Sequence, residues 1–272
     1  AAMAAVLAGS KEAWQHVPRH SVPTDHSTFF DKPFEDGPSV TRACLECHED
    51  AAYQLMNTSH WTWESEPVML PGRDEPVTVG KKNQINNFCI GIQGNWESCT
   101  ACHAGYGWED ESFDFEDTAN VDCLVCHEQT GTYKKFPTGA GHPVKEPTVF
   151  KANNKTYNPP DWNKVAQSVR RPTRNNCGTC HFYGGGGDGV KHGDLDSSMT
   201  NPPRSLDVHL GTDGLNLVCT DCHTTHMELK MSDERSSVHP ENVQATCGAC
   251  HKGIYETYMQ SDHAYTEEFE GK

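Results

Sequence analysis

The chain has few apolar residues for its length and no long run of them. Of its 272 residues only 35% are hydrophobic, and the mean hydropathy is −0.71. That is too little apolar surface to fill an ordinary core in a chain of this size. No run approaches the roughly 18 apolar residues that a transmembrane helix needs, so the sequence predicts no membrane span. The fold therefore needs a source of buried apolar surface besides its own side chains.

Positive charge is also scarce. Lys and Arg number 22 against 38 Asp and Glu, which gives a formal net charge of −16. A nucleic-acid-binding surface needs a basic patch to neutralise phosphates, so the composition predicts no nucleic-acid partner. The short apolar opening of the chain has no basic segment before it, and it is therefore not interpreted as a signal peptide.

Cysteine and histidine, by contrast, are plentiful, with 13 and 16 residues. Six Cys-x-x-Cys-His units use every cysteine except Cys89. In this motif the two thiols bond covalently to a c-type haem, and the histidine becomes the proximal ligand of its iron. Structural zinc is the alternative for Cys-x-x-Cys pairs, but a zinc site needs no histidine after every pair. The units are Cys44, Cys47 and His48; Cys99, Cys102 and His103; Cys123, Cys126 and His127; Cys177, Cys180 and His181; Cys219, Cys222 and His223; and Cys247, Cys250 and His251.

The sequence therefore predicts six covalently attached haem c groups, numbered here in chain order. Haem is large, flat and mostly apolar, so a stack of six supplies the missing core. We expect a mainly α-helical fold with extensive coil and little β structure, wrapped around that stack. Residues 1–40 contain no motif and are rich in proline, so they are predicted to form an extended N-terminal arm, with the six-haem domain at 41–272. A small hairpin is predicted within 64–82, and long loops over 128–175.

Ten histidines lie outside the motifs, enough to give most irons a second histidine ligand. An iron with two histidines has no open position, so such haems carry electrons and do not bind substrate. Three of the ten histidines lie in the N-terminal arm: His16, His20 and His26. Each either lies in a surface loop or binds a haem, in this subunit or in a neighbouring one. The candidate distal ligands elsewhere are, first, His60, His209, His226 and His263, and then His192, His142 and His239.

Spacing restricts which haem these histidines can serve. His60 and His263 follow the motif histidines His48 and His251, respectively, by twelve residues. Both intervening sequences have few helix breakers and predict one continuous helix. Twelve helical residues rise about 18 Å, so neither histidine can share an iron with the motif histidine before it. His226 lies too soon after the motif histidine before it to reach the opposite face of the same haem, so we expect all three to serve neighbouring haems.

Four stretches of the chain resemble the octahaem tetrathionate reductase family. This family belongs to the multihaem c-type cytochromes that include hydroxylamine oxidoreductase. The resemblance covers residues 40–265, but this chain has six haem motifs instead of eight, and the missing ones fall at the C-terminal end. The stretches are NNFCIGIQGNWESCTACHAGYGW, FEDTANVDCLVCHEQTG, NCGTCHFYGGGGDGVKHGDLDSSM and LDVHLGTDGLNLVCTDCHTTH.

In that family one haem has a lysine as an axial ligand and forms the active site. The resemblance assigns this role to Lys191 and makes the second haem the active-site haem. Three further family site residues match Asp188, the unpaired Cys89 and Asn86. A lysine must be neutral to bind iron, which requires a site that desolvates it.

Two functions are consistent with these observations. The first is an exported electron-transfer protein, extracellular or periplasmic because c-type haem is attached outside the cytoplasm, and in its fuller form a subunit of an extracellular cytochrome filament. Its partners would be other copies of itself, other cytochromes, or electron donors and acceptors in the same compartment. The alternative is a reductase of tetrathionate, nitrogen oxyanions or hydroxylamine at the Lys191-linked haem. The first is favoured because haem motifs are missing relative to the family.

Overall fold

The computed structural model describes residues 24–85, 90–183, 188, 195–223, 226 and 237–261. In these ranges the chain forms short helices joined by long coil. The α-helices are α1 (Gly37–Leu45), α2 (Ala51–Met56), α3 (Ser59–Thr62), α4 (Trp96–Cys99), α5 (Cys123–His127), α6 (Trp162–Gln167), α7 (Arg174–His181), α8 (Pro240–Gly248) and α9 (Lys252–Met259). Turns of 3-10 helix occur at His26–Thr28, Thr100–Cys102, Thr118–Asn120, Ser197–Thr200 and Cys219–Asp221.

Strand structure in the described ranges is limited to one two-stranded pair and two isolated bridges, of which one joins Gly105 to Val121. Strands β1 (Thr148–Phe150) and β2 (Lys155–Tyr157) are antiparallel, with Val149 opposite Thr156. A single antiparallel bridge joins Val68 to Val77 through hydrogen bonds of 2.9 and 3.0 Å. This bridge is the hairpin predicted within 64–82, and the predicted fold class, mainly helix and coil with little β structure, is confirmed.

The helix predicted to run unbroken from His48 to His60 is interrupted, so that expectation was wrong. Helix α2 ends before Asn57, whose side chain donates to the Tyr53 carbonyl at 2.9 Å. Thr58 then takes extended backbone, and its hydroxyl accepts from the His60 N–H at 3.2 Å as the N-cap of α3. After the last motif, α9 begins directly after His251 as predicted but ends at Met259, and His263 lies outside the described ranges.

The buried apolar residues form three small clusters around the haem motifs. Val40, Tyr106, Leu124 and Val165 belong to the first, and the motif residue Cys44 packs against them. The second and third clusters likewise contact motif cysteines; their members include Leu55, Trp61 and Val121 beside Cys123, and Trp63, Ile92 and Trp108 beside Cys99. Side-chain packing is therefore concentrated at the segments that carry the motifs.

The described part of the N-terminal arm is fixed to helix α6. Phe30 is buried, and its carbonyl accepts from the Gln167 side chain at 2.7 Å. The Phe34 N–H donates to the Asn163 side chain at 3.0 Å.

The sequence predicted long loops over residues 128–175, and this prediction was partly wrong. The stretch includes helix α6 and the β1–β2 pair. The apolar residues of α6 anchor the arm. None of the helices in the described ranges is long and apolar enough to cross a membrane.

Candidate functional site

Four of the motif histidines each face a histidine from outside the motifs. Two imidazoles on one iron have metal–nitrogen bonds of about 2 Å and, with about 1.2 Å from each nitrogen to its ring centre, centroids about 6.4 Å apart. All four pairs lie near this spacing. Their ring centroids are 6.4 Å apart for His26 and His48, 6.1 Å for His60 and His181, 5.9 Å for His127 and His226, and 5.8 Å for His209 and His251.

Backbone carbonyls orient several of these rings. His127 Nδ1 lies 2.8 Å from the Arg170 carbonyl, and His26 Nδ1 lies 3.0 Å from the Thr24 carbonyl. His226 has a hydrogen bond to the backbone of Ala51. When Nδ1 donates to a carbonyl, Nε2 is unprotonated and available to a metal. For His127 and His26 the residues present therefore fit an axial ligand of haem.

Burial keeps the paired rings in the neutral form that binds metal. Burial and the neighbouring His181 ring lower the pKa of His60. Burial also lowers the pKa of His127 and of His226. A buried imidazole loses solvation when it carries charge, so neutral rings predominate in these pairs at neutral pH.

Cysteines of different motifs lie against one another. The thiols of Cys44 and Cys123 are within hydrogen-bonding reach. The same contact joins Cys102 to Cys180 and Cys177 to Cys219. The attachment points of motifs one and three, two and four, and four and five are therefore adjacent in space.

His103 of the second motif has a different environment. It is 1% exposed, its Nε2 lies 2.8 Å from the Trp61 carbonyl, and its buried Nδ1 has no hydrogen-bond partner. Burial lowers the pKa of His103 to about 3. Its ring is surrounded by aromatic side chains, with centroid distances of 4.9 Å to Trp61, 5.4 Å to Trp63, 4.8 Å to Trp108, 5.6 Å to Phe113 and 6.3 Å to Phe115. We call these five side chains the aromatic box.

The other predicted site residues are dispersed. The His142 ring stacks on Tyr106 at 5.4 Å, and the His239 carbonyl accepts backbone N–H groups at the start of α8. Asp188 accepts hydrogen bonds from the Ser197 hydroxyl and, at 2.9 Å, its N–H, which hold the pKa of this exposed carboxyl below its usual value. The remaining predicted site residues lie outside the described ranges: His16, His20, Asn86, Cys89, Lys191, His192 and His263.

The sequence reasoning missed the aromatic box and a buried polar group around Asp122. The box residues come from segments far apart in the chain, so no local pattern could have indicated them. Asp122 did leave a signal, because an Asp directly before Cys123 is a helix N-cap residue, and its side chain accepts from the Val125 N–H at 3.0 Å.

Comparison with known proteins supports a multihaem cytochrome c fold. No protein-family model matches the chain. The crystal structure of an octahaem cytochrome c from Shewanella oneidensis is similar to it, with 49% identity and a TM-score of 0.64 over 75% of this chain. The chain covers 42% of that protein, less than half of its length. An uncharacterised protein of Archaeoglobus fulgidus is 26% identical, over 74% of this chain and 78% of its own length. The chain thus has a multihaem cytochrome c fold over about three quarters of its length.

Proposed function

We propose that this protein is a six-haem c-type cytochrome that carries electrons from haem to haem. The observation that supports this function best is the pairing of four motif histidines with four other histidines at the spacing of two ligands on one iron. The motif cysteines would hold each haem by two thioether bonds. When bound, haem supplies reversible one-electron oxidation and reduction of its iron.

The pairs also indicate which residue would be the second axial ligand of each of these four irons. His26 would be the distal ligand of the first haem, His226 of the third, His60 of the fourth and His209 of the sixth. Two of the three exclusions drawn from spacing agree with this scheme, since His60 lies against His181 and His226 against His127. The third concerns His263, which lies outside the described ranges. Iron with two histidines has no open position, so these four haems are suited to relaying electrons.

Contacts between motifs support close approach of the haems. Each thioether bond fixes one edge of a porphyrin to its cysteine. Because Cys44 touches Cys123 and Cys102 touches Cys180, the first haem would lie beside the third and the second beside the fourth. Cys177 and Cys219 join the fourth to the fifth in the same way. Electrons could therefore pass through the chain by short steps between neighbouring edges.

We further propose that the protein is exported and assembles with other copies of itself or other cytochromes, in its fuller form as an extracellular filament. Within the described ranges, no histidine ring lies opposite His223 as His226 lies opposite His127. The second axial ligand of the fifth haem would therefore come from a residue outside these ranges or from a neighbouring subunit. Electron microscopy of the purified protein tests the filament: discrete particles with every iron ligated from within one chain would exclude it.

The electron-transfer proposal is tested by the holoprotein itself. The mass of the purified chain should exceed the sequence mass by six haems, and electron paramagnetic resonance should show at least four low-spin irons with two histidines. A chain without covalent haem, or one whose haems are mainly high-spin, would contradict the proposal.

The second candidate function is reduction of tetrathionate, nitrogen oxyanions or hydroxylamine at the second haem. The support for this candidate is the family resemblance alone, because the His103 Nε2 lies 2.8 Å from the Trp61 carbonyl and is not free for an iron in this arrangement. The resemblance to the octahaem tetrathionate reductases assigns Lys191 to this iron. The test is ligand exchange: one haem in six should bind carbon monoxide or nitrite, and Lys191→Ala should change turnover. No binding at any haem would exclude this function.

A further inference from the structure

The described part of the N-terminal arm brings His26 to the first haem motif. The His26 and His48 rings face each other with centroids 6.4 Å apart, and the Thr24 carbonyl lies 3.0 Å from His26 Nδ1. The two histidines belong to different segments, so their separation depends on how the arm is attached. Helix α6 contacts both the turn at His26–Thr28 and helix α1, which contains Cys44 of the first motif. The attachment of the arm to α6 therefore places one ring relative to the other.

The side chain of Asn163, on α6, makes most of the hydrogen bonds in this attachment. Its Oδ1 accepts from the Phe34 N–H at 3.0 Å. Its Nδ2 donates to the Lys32 carbonyl at 2.5 Å and, more weakly, to the Phe30 carbonyl at 3.4 Å. An amide has two N–H donors and one acceptor oxygen, so both ends of this side chain are engaged with the arm backbone. Gln167, four residues later on the same face of α6, donates to the Phe30 carbonyl at 2.7 Å.

Phe30 connects these hydrogen bonds to the His26 ring. Its side chain is buried in the apolar cluster that also contains Val40 of α1 and Val165 of α6. The His26 ring stacks on the Phe30 ring, with centroids 5.9 Å apart and planes at 25°. Because the two planes are nearly parallel, Phe30 restricts the orientation of the imidazole as well as its position. The amide side chains of α6 thus hold the residue against which the histidine is oriented.

We propose that Asn163 is a positioning residue for His26, and that by fixing the arm to α6 it keeps the iron of the first haem closed to external ligands. The inference rests on the proposed function, in which His26 would be the distal ligand of that haem. An external ligand binds only in the fraction of molecules from which His26 has withdrawn. Losing the Asn163 bonds enlarges this fraction, and external ligands then bind faster in proportion.

The test is the rate at which carbon monoxide binds to the fully reduced holoprotein, measured by Soret absorbance. His26→Gly opens the first haem directly, and the absorbance change that it adds identifies this haem. Asn163→Ala should raise the rate of binding at the first haem about tenfold, because it removes the hydrogen bonds to the arm. Asn163→Asp should raise it at least as much, since a carboxylate loses both donors and faces two carbonyls.

Added imidazole distinguishes loss of the ligand from general loosening of the fold. Imidazole can occupy the iron position that His26 leaves, so it should slow the binding of carbon monoxide again in Asn163→Ala. General loosening would not be reversed in this way. Failure of imidazole to slow the reaction in Asn163→Ala, when it does so in His26→Gly, would therefore contradict the proposed role.

Asn83→Ala is the matched control, because Asn83 also holds loop backbone with its amide but lies in a segment without a candidate ligand. Its Nδ2 donates to the Thr78 carbonyl at 2.7 Å, and its Oδ1 accepts from the Gly80 N–H at 2.9 Å. This variant should change the rate at the first haem by less than about twofold. An equal rise in Asn83→Ala and Asn163→Ala, or an unchanged rate in Asn163→Ala, would overturn the inference.

Gln167→Ala decides the question if Asn163→Ala does not take up its full haem content. It removes a single bond to the Phe30 carbonyl and should raise the rate about threefold, and an unchanged rate would overturn the inference. The inference and the proposed function fail in different ways. An unchanged rate in Asn163→Ala with fast binding in His26→Gly removes the positioning role and leaves the ligand assignment and electron transfer intact. An unmodified protein without covalent haem would overturn both.

Discussion

His127 and His226 face each other with ring centroids 5.9 Å apart, and the backbone of a third and a fourth segment holds them there. The Arg170 carbonyl fixes the first ring, and the Ala51 backbone fixes the second. One candidate iron site thus joins four separate parts of the chain. This arrangement accounts for a fold with only small apolar clusters, because each shared ligand pair connects segments that few side chains hold together.

Replacing one member of a pair should open one iron. We expect His226→Ala to convert the third haem from low-spin to high-spin, because it removes the ring that faces His127. Electron paramagnetic resonance of the oxidised protein would show one low-spin signal lost and one high-spin signal gained. The reduced variant should then bind one carbon monoxide more than the unmodified protein.

His142→Ala is the matched control for that substitution. His142 is also a predicted distal ligand, but its ring stacks on Tyr106. The low-spin signals should therefore be unchanged in this variant. Loss of a low-spin signal in His142→Ala, or its retention in His226→Ala, would show that the pairs do not mark the ligands.

Acid should dissociate the paired histidines. Burial lowers the folded-state pKa of His60, His127 and His226 below the usual value. Each of these histidines therefore binds a proton more readily in the unfolded chain than in the folded protein. Their contribution to stability is fully present above about pH 6.5 and is lost as the pH falls towards the folded-state value. Soret absorbance during an acid titration would follow this loss, and a holoprotein that became less stable between pH 7 and pH 9 for this reason would contradict the assignment.

The sequence was sufficient to predict the motifs, the mainly helical and coil fold, and the excess of histidines over motif ligands. Spacing also predicted that His60 serves a haem other than that of His48, and the His60 ring lies against His181. The reason given was partly wrong, because the helix between them breaks at Thr58, where the hydroxyl caps a new helix. The separation holds nonetheless, since the break redirects the chain towards His181.

The partner of each histidine could not be predicted, because it depends on the path of long coil segments. Nothing local to His26 indicates that it lies against His48, and the contact follows from the attachment of Phe30 and Phe34 to helix α6. The ion pair that Lys135 forms with Asp122 is similar. Each residue alone matches a common surface charge, and only the packing of Tyr106 and Tyr133 around them shows that they are buried.

The aromatic box should contribute much of the stability around the second motif. Trp108 is 2% exposed and contacts Trp63, Trp96 and His103. Because truncation leaves a large cavity, Trp108→Ala should lower the free energy of unfolding by about 3–5 kcal/mol. Phe29→Ala is the control, since Phe29 is 63% exposed and should change the free energy by about 0.5 kcal/mol or less. Denaturant titrations followed by tryptophan fluorescence and Soret absorbance would measure both, and equal losses would contradict a buried box.

Substitutions at two glycines with similar positive φ values distinguish the effect of a steric contact from that of backbone strain. Gly141 has φ +88°, and an added Cβ would lie 2.2 Å from the Gly105 carbonyl oxygen, an acceptor of the Lys135 ammonium. Gly72 has φ +80° and nothing within 4 Å of an added Cβ. Gly72→Ala should therefore lower the free energy of unfolding by about 1–2 kcal/mol, from left-handed backbone alone. Gly141→Ala should lower it further, because the Gly105 carbonyl must move and weaken its bond to Lys135. Thermal unfolding of the two holoproteins would compare them, and equal midpoints would show that the contact at Gly105 relaxes without loss.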